Sequence, residues 1–343
     1  MVRQVRVGVF IPTFAGGDGA HHDCPYYDQV DWAATRDYVL SVEQLGFNSL
    51  WIADHFMLGK ENAMLEGWTS LAYLAALTKK LVLGSFVMCN SYRNPALLAK
   101  MAATFDVISG GRLCLGLGAG WHEPEYKAYG YHFPPPPERI AALRETTTIL
   151  KELWQKDSVD FHGKFYQLNG AVCNPKPIQK PHPPIMIGAW GKKMLRLTAE
   201  VADSWSIADD PSPAVFQEKF SIIKKRCDEI GRNPAEIERT WSGHVILESD
   251  PHLLKLKLAE LKDKIMMNSD KKGNYFQLPS GEMTKVDADY LIEQSIHGTP
   301  NECTLKLRKL TEAGVDHFIL FFWDYPSKRV MNLFASQVMP NLT

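Results

Sequence analysis

The sequence of 343 residues predicts a single (β/α)₈ barrel. Eight short apolar runs, typical of strands buried in a parallel sheet, alternate along the chain with eight segments of helical periodicity. The composition does not change abruptly at any point, and barrels of this kind often exceed about 250 residues as one domain. A doubly wound open sheet is the alternative, but no P-loop and no correctly spaced dinucleotide fingerprint supports it. We therefore expect residues 1–343 to form one domain.

Four units of strand and helix fill the first half of the chain. The predicted strands are short apolar runs at residues 5–11, 50–53, 81–87 and 112–118. The predicted helices, in which apolar residues recur at intervals of three or four, cover residues 31–45, 68–77, 95–105 and 138–154. Gly46 follows the first helix in the position of a left-handed cap, and Pro95 begins the third helix. These two residues mark the end of the first predicted helix and the start of the third.

The second half repeats the pattern with one interruption. Its predicted strands cover residues 184–188, 203–207, 239–247 and 316–322, and its helices cover 192–201, 214–230, 301–313 and 328–338. The interruption at residues 249–294 is Lys-rich and helix-like, and it is broken by Gly273, Pro279 and Gly281 without a clear strand. We interpret this segment as a helical insertion before the last repeat. A position over the carboxyl ends of the strands would make it a lid.

Composition excludes several partners. The formal net charge is -1, which gives no reason to expect nucleic acid or an anionic membrane, and no apolar run approaches a membrane span. The six cysteines form no CxxC pair, which predicts buried thiols, and the first residues enter a strand without a signal-peptide core. Adjacent His21, His22, Asp23 and Cys24 lack the spacing of metal ligands, so no metal is expected. We expect a cytoplasmic protein that binds a small molecule.

Asp54 and His55 end the second predicted strand. In barrels of this type the chemistry lies at the carboxyl ends of the strands, which makes these two residues candidate catalytic groups. The structural alternative is that Asp54 caps the following turn and His55 is a satisfied polar residue. The strand context favours the catalytic interpretation.

Two glycine-rich segments follow the fourth and fifth strands. In residues 116–121 (GLGAGW) the missing side chains would let a flat ligand approach the backbone, and a tight turn without a ligand is the alternative. In residues 188–193 (GAWGKK) free backbone N–H groups at a helix start suit a phosphate or anionic tail, although an ordinary helix start looks similar. Arg93, after the third strand, is expected to hold the barrel wall by pairing with carboxylates. The chain has no GxSxG elbow, no HExxH and no spaced Cys/His set, so a flat organic cofactor is favoured.

Several motifs in the same order resemble the bacterial-luciferase-like flavin superfamily, most closely its branch that depends on the deazaflavin coenzyme F420. They are ADHF (53–56), YRNPALLAKMAATFDVISGGRL (92–113), LGLGAGWHEPEYKAYG (115–130), PKPIQKPHPPIMIGAWG (175–191), VADSW (201–205) and HGTPNEC (297–303). The resemblance implies a luciferase-like barrel that binds coenzyme F420, or FMN as the alternative, at the carboxyl ends of its strands.

The resemblance also assigns site residues. Asp54 and His55 lie beside the cofactor ring, with His55 nearest the reactive centre. A non-prolyl cis peptide of the third strand supports the ring from behind, and Ser85-Phe86 is its counterpart. The ring edge is lined by Ala119 and Gly120 with Trp121 as the pocket wall, and the ribityl-phosphate side is lined by Gly188, Ala189, Trp190 and Gly191. No residue of the site is a metal ligand.

Three departures from the family bear on the substrate. Members that resemble the sugar-phosphate dehydrogenases carry a carboxylate at the fourth strand mouth, where this chain has Trp121 with Glu123 and Glu125 further on. Their aromatic residue after the Asp-His pair is replaced by Gly59. Their phosphate-binding lysine after the sixth strand is missing from the loop of residues 209–211. Oxidation of a sugar phosphate is therefore not expected.

Three functions remain. The first is an oxidoreductase that moves hydride between the deazaflavin and a small carbonyl, alcohol or activated alkene, with His55 orienting or protonating and Asp54 fixing its tautomer or the local backbone. The second is an FMN-dependent monooxygenase that takes reduced flavin from a flavin reductase partner. The third is a non-catalytic ligand-binding barrel. A homodimer is expected in each case.

Overall fold

A computed structural model describes residues 5–16, 25–269, 275–277, 283–285 and 288–342. The strands are β1 (Arg6–Phe10), β2 (Ser49–Ile52), β3 (Val82–Ser85), β4 (Met88–Cys89), β5 (Leu113–Gly118), β6 (Val159–His162), β7 (Gln167–Ala171), β8 (Ile185–Gly188), β9 (Ser204–Ala208), β10 (Glu238–Leu247), β11 (Tyr275–Gln277), β12 (Met283–Lys285), β13 (Ile296–Gly298) and β14 (His317–Phe322). The helices are α1 (Trp32–Gln44), α2 (Gly67–Leu77), α3 (Pro95–Ser109), α4 (Glu123–Ala128), α5 (Pro136–Gln155), α6 (Lys192–Val201), α7 (Pro213–Ile230), α8 (Pro251–Ser269), α9 (Ala288–Glu293), α10 (Pro300–Glu312) and α11 (Arg329–Gln337).

Eight parallel strands close into a barrel in the order β1, β2, β3, β5, β8, β9, β10 and β14, and β14 pairs with β1. The predicted fold is therefore confirmed. The eight predicted strands match these eight within a few residues, and the eight predicted helices correspond to α1, α2, α3, α5, α6, α7, α10 and α11. The small excursion expected from the aromatic residues 161–166 is the antiparallel hairpin of β6 and β7. The helix α4 was not predicted.

Local chemistry explains where the helices begin and end. The Asn94 side chain accepts hydrogen bonds from the backbone of the first turn of α3, Pro95 occupies that turn, and Gly110 ends the helix with a φ of 73°. Thr299 and Glu302 form a capping box at the start of α10. These ends place the loops that follow the strands at one edge of the barrel.

The barrel interior is filled by aromatic rings. Trp51 lies where a side chain on Gly84 would otherwise stand, since a Cβ there would be 2.1 Å from its ring. Above it, Phe86 lies 6.2 Å from Phe10, and Phe10 lies 5.4 Å from Phe321, measured between ring centroids. Phe10, Phe86 and Phe321 stand at or next to the carboxyl ends of β1, β3 and β14. A ligand bound at this end of the barrel would therefore lie above their rings.

The insertion between β10 and α10 contains α8, the antiparallel pair β11 and β12, α9 and β13. The interpretation of residues 249–294 as helical without a strand is wrong for β11 and β12. Each is three residues long, below the run of about four to eight residues that identifies a strand in a sequence. The helix α8 lies at the carboxyl edge, because Glu260 accepts a hydrogen bond of 2.8 Å from Tyr26 in the loop after β1. Whether it acts as a lid stays a prediction.

Candidate active site

Asp54, directly after β2, is held by a buried network. The side chain is 2% exposed, and both of its oxygens accept hydrogen bonds of 2.8 Å from the Arg93 guanidinium. The backbone N–H of Cys89 donates to the same carboxylate at 3.0 Å, and Arg93 also contacts Glu66, the capping residue of α2. Asp54 therefore ties together the segments after β2 and β4. The expected pairing of Arg93 with carboxylates is confirmed.

His55 takes its partner from another part of the chain. Its Nδ1 lies 2.8 Å from Oε2 of Glu125, which has no exposed surface and stands in the first turn of α4. An ionised carboxylate only accepts hydrogen bonds, so Nδ1 carries the proton. The Nε2 atom is then the ring nitrogen available to a ligand. Of the two roles predicted for Asp54, the contacts support fixing the backbone, and Glu125 fixes the tautomer.

Glu125 is stabilised as an anion inside the protein. Its Oε1 accepts hydrogen bonds from the backbone N–H groups of Phe56 and Met57, and Tyr92 donates its hydroxyl to Oε2 at 2.5 Å. Burial alone raises the pKa of this carboxyl, but the hydrogen bonds from His55, Tyr92 and the backbone outweigh burial and lower the pKa to about 2. The carboxylate is thus charged at neutral pH.

The sequence pattern does not assign Glu125 to the site. It lies 70 positions from His55, and no local spacing links the two residues. The available signal was a helix start, Pro124 between two glutamates, which predicts α4 and places Glu125 in its first turn. Only the folded chain brings that turn beneath the imidazole.

Aromatic side chains surround His55. Trp121 is 44% exposed and its ring lies 5.5 Å from the imidazole, while its role as a pocket wall stays a prediction. Phe56, the next residue in the chain, stacks between Tyr92 and Tyr129, with centroid distances of 4.5 and 4.6 Å. The ring of His122 lies 6.1 Å from that of His55, so the surroundings are aromatic and include a second imidazole.

The glycines of β5 accommodate the third strand. The non-prolyl cis peptide lies between Phe86 and Val87, one residue later than the predicted Ser85-Phe86. A Cβ on Gly116 would lie 2.0 Å from the carbonyl oxygen of Ser85, and one on Gly118 would lie 2.7 Å from the Val87 side chain. The space predicted for a flat ligand is thus used, at these two positions, by the chain itself. Sequence patterns carry no signal for a cis bond outside proline.

Gly120 has a similar explanation. Its φ is 81°, and a Cβ there would lie 1.9 Å from the hydroxyl oxygen of Tyr126 and 2.9 Å from Sγ of Cys89. Both its conformation and its close packing require glycine. Ala119 beside it is partly exposed at the mouth of the barrel and can still contact a ligand. The role of these two residues in cofactor binding stays a prediction.

The second glycine-rich segment leads into α6. Ala189 is buried, and its backbone bonds to Ser206 and to the indole of Trp205. Gly191 precedes α6 and offers no capping side chain, while Lys192 and Lys193 are exposed in the first turn. Trp190 lies under the ammonium group of Lys219 at 5.6 Å. The helix start and its charges fit an anionic tail, which remains a prediction.

Buried polar atoms at the strand ends lack partners among the residues that the structure describes. They are Thr13 Oγ1, both polar atoms of the Asn90 side chain, Ser206 Oγ and Trp323 Nε1. All four residues are at most 2% exposed. Buried polar groups are nearly always hydrogen-bonded, so a ligand with its own donors and acceptors fits this layer. A deazaflavin or flavin ring carries such groups on its edge, and so does a substrate that contains oxygen.

Other kinds of site receive no support. Within the described ranges no group of three potential ligands could hold a metal ion, and His21, His22, Asp23 and Cys24 lie outside them. No described helix is long and apolar enough to cross a membrane.

Comparisons with known proteins agree on the family. The model of the luciferase-like monooxygenases matches residues 5–317. An F420-dependent glucose-6-phosphate dehydrogenase of Amycolatopsis mediterranei (strain U-32) is 25% identical over 89% of this chain and 93% of its own. An FMNH2-dependent dimethylsulfone monooxygenase of Pseudomonas putida is 24% identical over 99% and 96%.

Solved structures share the fold. An F420-dependent secondary alcohol dehydrogenase superposes with a TM-score of 0.78 at 20% identity, covering 99% of both chains. An EDTA monooxygenase from Chelativorans sp. BNC1 superposes with a TM-score of 0.81 at 13% identity, covering 99% of this chain and 93% of its own.

Proposed function

The chain belongs to the luciferase-like monooxygenase family, and we propose that it is an oxidoreductase using coenzyme F420 to transfer hydride to or from a small organic substrate. The observation that carries this proposal is the His55 imidazole at the barrel mouth, held through Nδ1 by the buried anion of Glu125. Similarity to F420-dependent relatives over about nine tenths of the chain supports the choice of cofactor.

Residues at the mouth fit the cofactor. Val87 lies over Gly118 and Gly188, where it would form the floor beneath the ring. Asn90 and Ser206 offer unpartnered polar atoms to the ring edge, and the first turn of α6 with its two lysines would receive the anionic tail. When bound, the deazaflavin supplies or accepts hydride at the carbon that replaces a reactive nitrogen of flavin.

His55 and Glu125 divide the work on the substrate. The Nε2 atom of His55 binds the substrate oxygen and moves a proton to or from it as the hydride leaves or arrives. Glu125 keeps the proton on Nδ1 and stabilises the imidazolium that forms when Nε2 is protonated. The exposed ring of Trp121 excludes water from that side.

The sugar phosphate of the relatives is a poor fit to this chain. Glu125 is fully occupied by His55, Tyr92 and the backbone, so it is not a free proton donor. The loop after β9 carries Asp209 and Asp210, whose charge repels a phosphate. The proposed substrate is therefore uncharged: a carbonyl compound, an alcohol or an activated alkene.

Two alternatives use the same fold. An FMN-dependent monooxygenase would receive reduced flavin from a reductase, and similarity to an FMNH2-dependent enzyme of Pseudomonas putida supports the use of reduced flavin. A non-catalytic barrel would have little use for a buried carboxylate that orients an imidazole at the mouth. The first alternative is thus the stronger one.

A homodimer and a cytoplasmic location complete the proposal. Leu97 and Ile108 of α3 and Tyr73 of α2 are 55%, 66% and 47% exposed, an apolar surface that a second copy could cover. Five cysteines, at positions 89, 114, 173, 227 and 303, are buried free thiols, which suits a reducing compartment. Sedimentation of the protein and of an Ile108→Lys variant tests the dimer, which the charge should dissociate.

Fluorescence titration of the apo-protein with each cofactor, at one salt concentration, tests the proposed function. We expect coenzyme F420 to bind about tenfold more tightly than FMN, which corresponds to about 1.4 kcal/mol. Equal affinity or a preference for FMN supports the monooxygenase alternative. Binding of neither cofactor supports the non-catalytic barrel.

A further inference from the structure

We propose that Trp323 and Thr13 form a second polar subsite, which binds an oxygen atom of the substrate remote from the reacting carbon. This inference rests on the proposed function and names the class of substrate. The substrate is an uncharged compound with an apolar body and two oxygen functions, one for His55 and one for this subsite.

Trp323 supplies the first observation. Its Nε1–H lacks a hydrogen-bond partner in the described part of the chain, although the residue is only 2% exposed. The ring lies 5.3 Å from the imidazole of His244, which in turn lies 4.6 Å from Phe321 in the barrel interior. Trp323 stands directly after the end of β14, and its contact with His244 places the indole beside the interior ring of Phe321. The indole therefore belongs to the layer where a ligand has access.

Thr13 supplies the second observation, from the neighbouring strand. It follows β1, it has no exposed surface, and its hydroxyl lacks a partner among the described residues. β1 pairs with β14 on one side and with β2 on the other. The carboxyl ends of β14, β1 and β2 thus present Trp323, Thr13 and His55 in that order. The indole of Trp323 and the hydroxyl of Thr13 can donate a hydrogen bond to oxygen, and His55 can do so when Nε2 is protonated.

The spacing of the strands sets the size of the substrate. Two strand spacings separate the ends of β14 and β2, about 10 Å at the backbone. Side chains that reach inward from both ends shorten this gap to the width of a small ring. A six-membered ring with oxygen atoms on opposite carbons spans such a gap.

The surroundings favour an uncharged molecule. Phe10 and Phe321 form the floor beside the subsite. Lys257 and Arg329, which line a small cavity together with Trp323, are already paired: Lys257 lies 3.3 Å from Glu260, and Arg329 donates to Glu248 at 2.8 Å. A carboxylate or phosphate would find no free positive charge in these two residues. A carbonyl or hydroxyl oxygen, by contrast, suits the indole N–H and the hydroxyl.

The test compares cyclohexane-1,4-dione with cyclohexanone, which lacks the second oxygen. In the full chain loaded with coenzyme F420 and labelled with ¹⁵N, the indole resonance of Trp323 is identified by its loss in Trp323→Phe. We expect the dione to shift this resonance downfield and to bind about tenfold more tightly than cyclohexanone. Trp323→Phe and Thr13→Val should each reduce that preference, with little change for cyclohexanone.

Trp154→Phe is the matched control, because its buried indole already donates to the carbonyl of Ala99 at 3.0 Å. It should leave the preference intact and lower the melting temperature more than Trp323→Phe does, because both variants lose buried ring area but only Trp154→Phe also loses a hydrogen bond. An unmoved Trp323 resonance, or an equal preference in both Trp variants, overturns the inference. The cofactor titration is independent: a protein that prefers FMN but shifts the Trp323 resonance with the dione contradicts the proposed cofactor and supports the subsite.

Discussion

Two segments at the barrel mouth, residues 54–55 after β2 and residues 116–120 in and after β5, were both predicted to serve a ligand, and the structure distinguishes them. In the glycine segment the missing side chains are explained by packing, because Ser85, Val87 and Tyr126 occupy the space. In the Asp-His segment the Asp54 carboxylate also has a structural role, because it pairs with Arg93. His55 differs, since Glu125 binds its Nδ1 and leaves Nε2 available to a ligand. The presence of glycines that would suit a ligand is therefore weaker evidence for a binding site than a side chain such as His55, which is held in place and still has a ring nitrogen free to bind.

Replacement of Asp54 should have the largest effect on stability. Asp54→Ala leaves Arg93 buried with only Glu66, and we expect the free energy of unfolding to fall by about 3 kcal/mol. Urea denaturation measures this. Asp54→Asn, which keeps the shape and one acceptor, should lose less. If Asp54→Ala is as stable as the wild type, the network does not hold this segment.

A side chain at Gly116 should cost about 2 kcal/mol. Its Cβ would meet the carbonyl oxygen of Ser85, a backbone atom that moves only if strand β3 moves with it. Gly191→Ala is the matched control, since nothing lies within 4 Å of the Cβ there, and its stability should match the wild type. Urea denaturation of both variants compares them. A Gly116→Ala variant with wild-type stability and weaker cofactor binding would show that this glycine is required by the ligand and not by packing.

Removal of the His55 ring should affect turnover more than folding. Glu125 keeps its bonds from Tyr92 and two backbone N–H groups in His55→Ala, so the expected loss of stability is less than about 1 kcal/mol. Turnover at matched cofactor occupancy should fall at least about tenfold, as for the loss of a general acid or base. Stopped-flow spectroscopy of the cofactor follows this step. Retained turnover would make His55 a structural residue.

The smallest expected effect is a change in acid sensitivity. Glu125 has a pKa lowered to about 2, so its ionised form stabilises the folded state above its unfolded pKa of about 4.3, and this contribution is lost as the pH falls toward 2. The free energy of unfolding should therefore fall more steeply with acid in the wild type than in Glu125→Gln across that window. Denaturant titrations at several pH values measure the slopes.

Glu123→Gln is the control for this comparison, because Glu123 is an exposed carboxylate in the same turn of α4. It should follow the wild-type curve. Parallel slopes for the wild type and Glu125→Gln would show that the buried carboxylate is not charged as described.

The sequence was sufficient for the barrel because each strand is a continuous apolar run with a clear boundary, as in residues 50–53 before Asp54. It was not sufficient for β11 and β12, whose three residues each give no periodic signal. The residues of the candidate site likewise fall into those that the sequence could predict and those that it could not. His55 was predicted from its place after a strand, whereas Glu125 depends on contacts across 70 residues and Trp323 on a missing hydrogen bond. Local sequence patterns therefore predict helices and strands, whereas the partner of a given side chain depends on contacts between distant parts of the chain.

The insertion leaves the barrel after β10 and returns to the same strand, since Ile296 of β13 pairs with Val245. Its two ends therefore lie about one strand spacing, 4.8 Å, apart. Changes in the length of such a closed excursion alter the chain entropy only slowly and leave the other strand pairings untouched. During descent from a common ancestor, residues 249–294 could be shortened, extended or exchanged while His55 and Glu125 stay fixed. Substrate range and hydride chemistry can thus diverge at separate rates in one lineage.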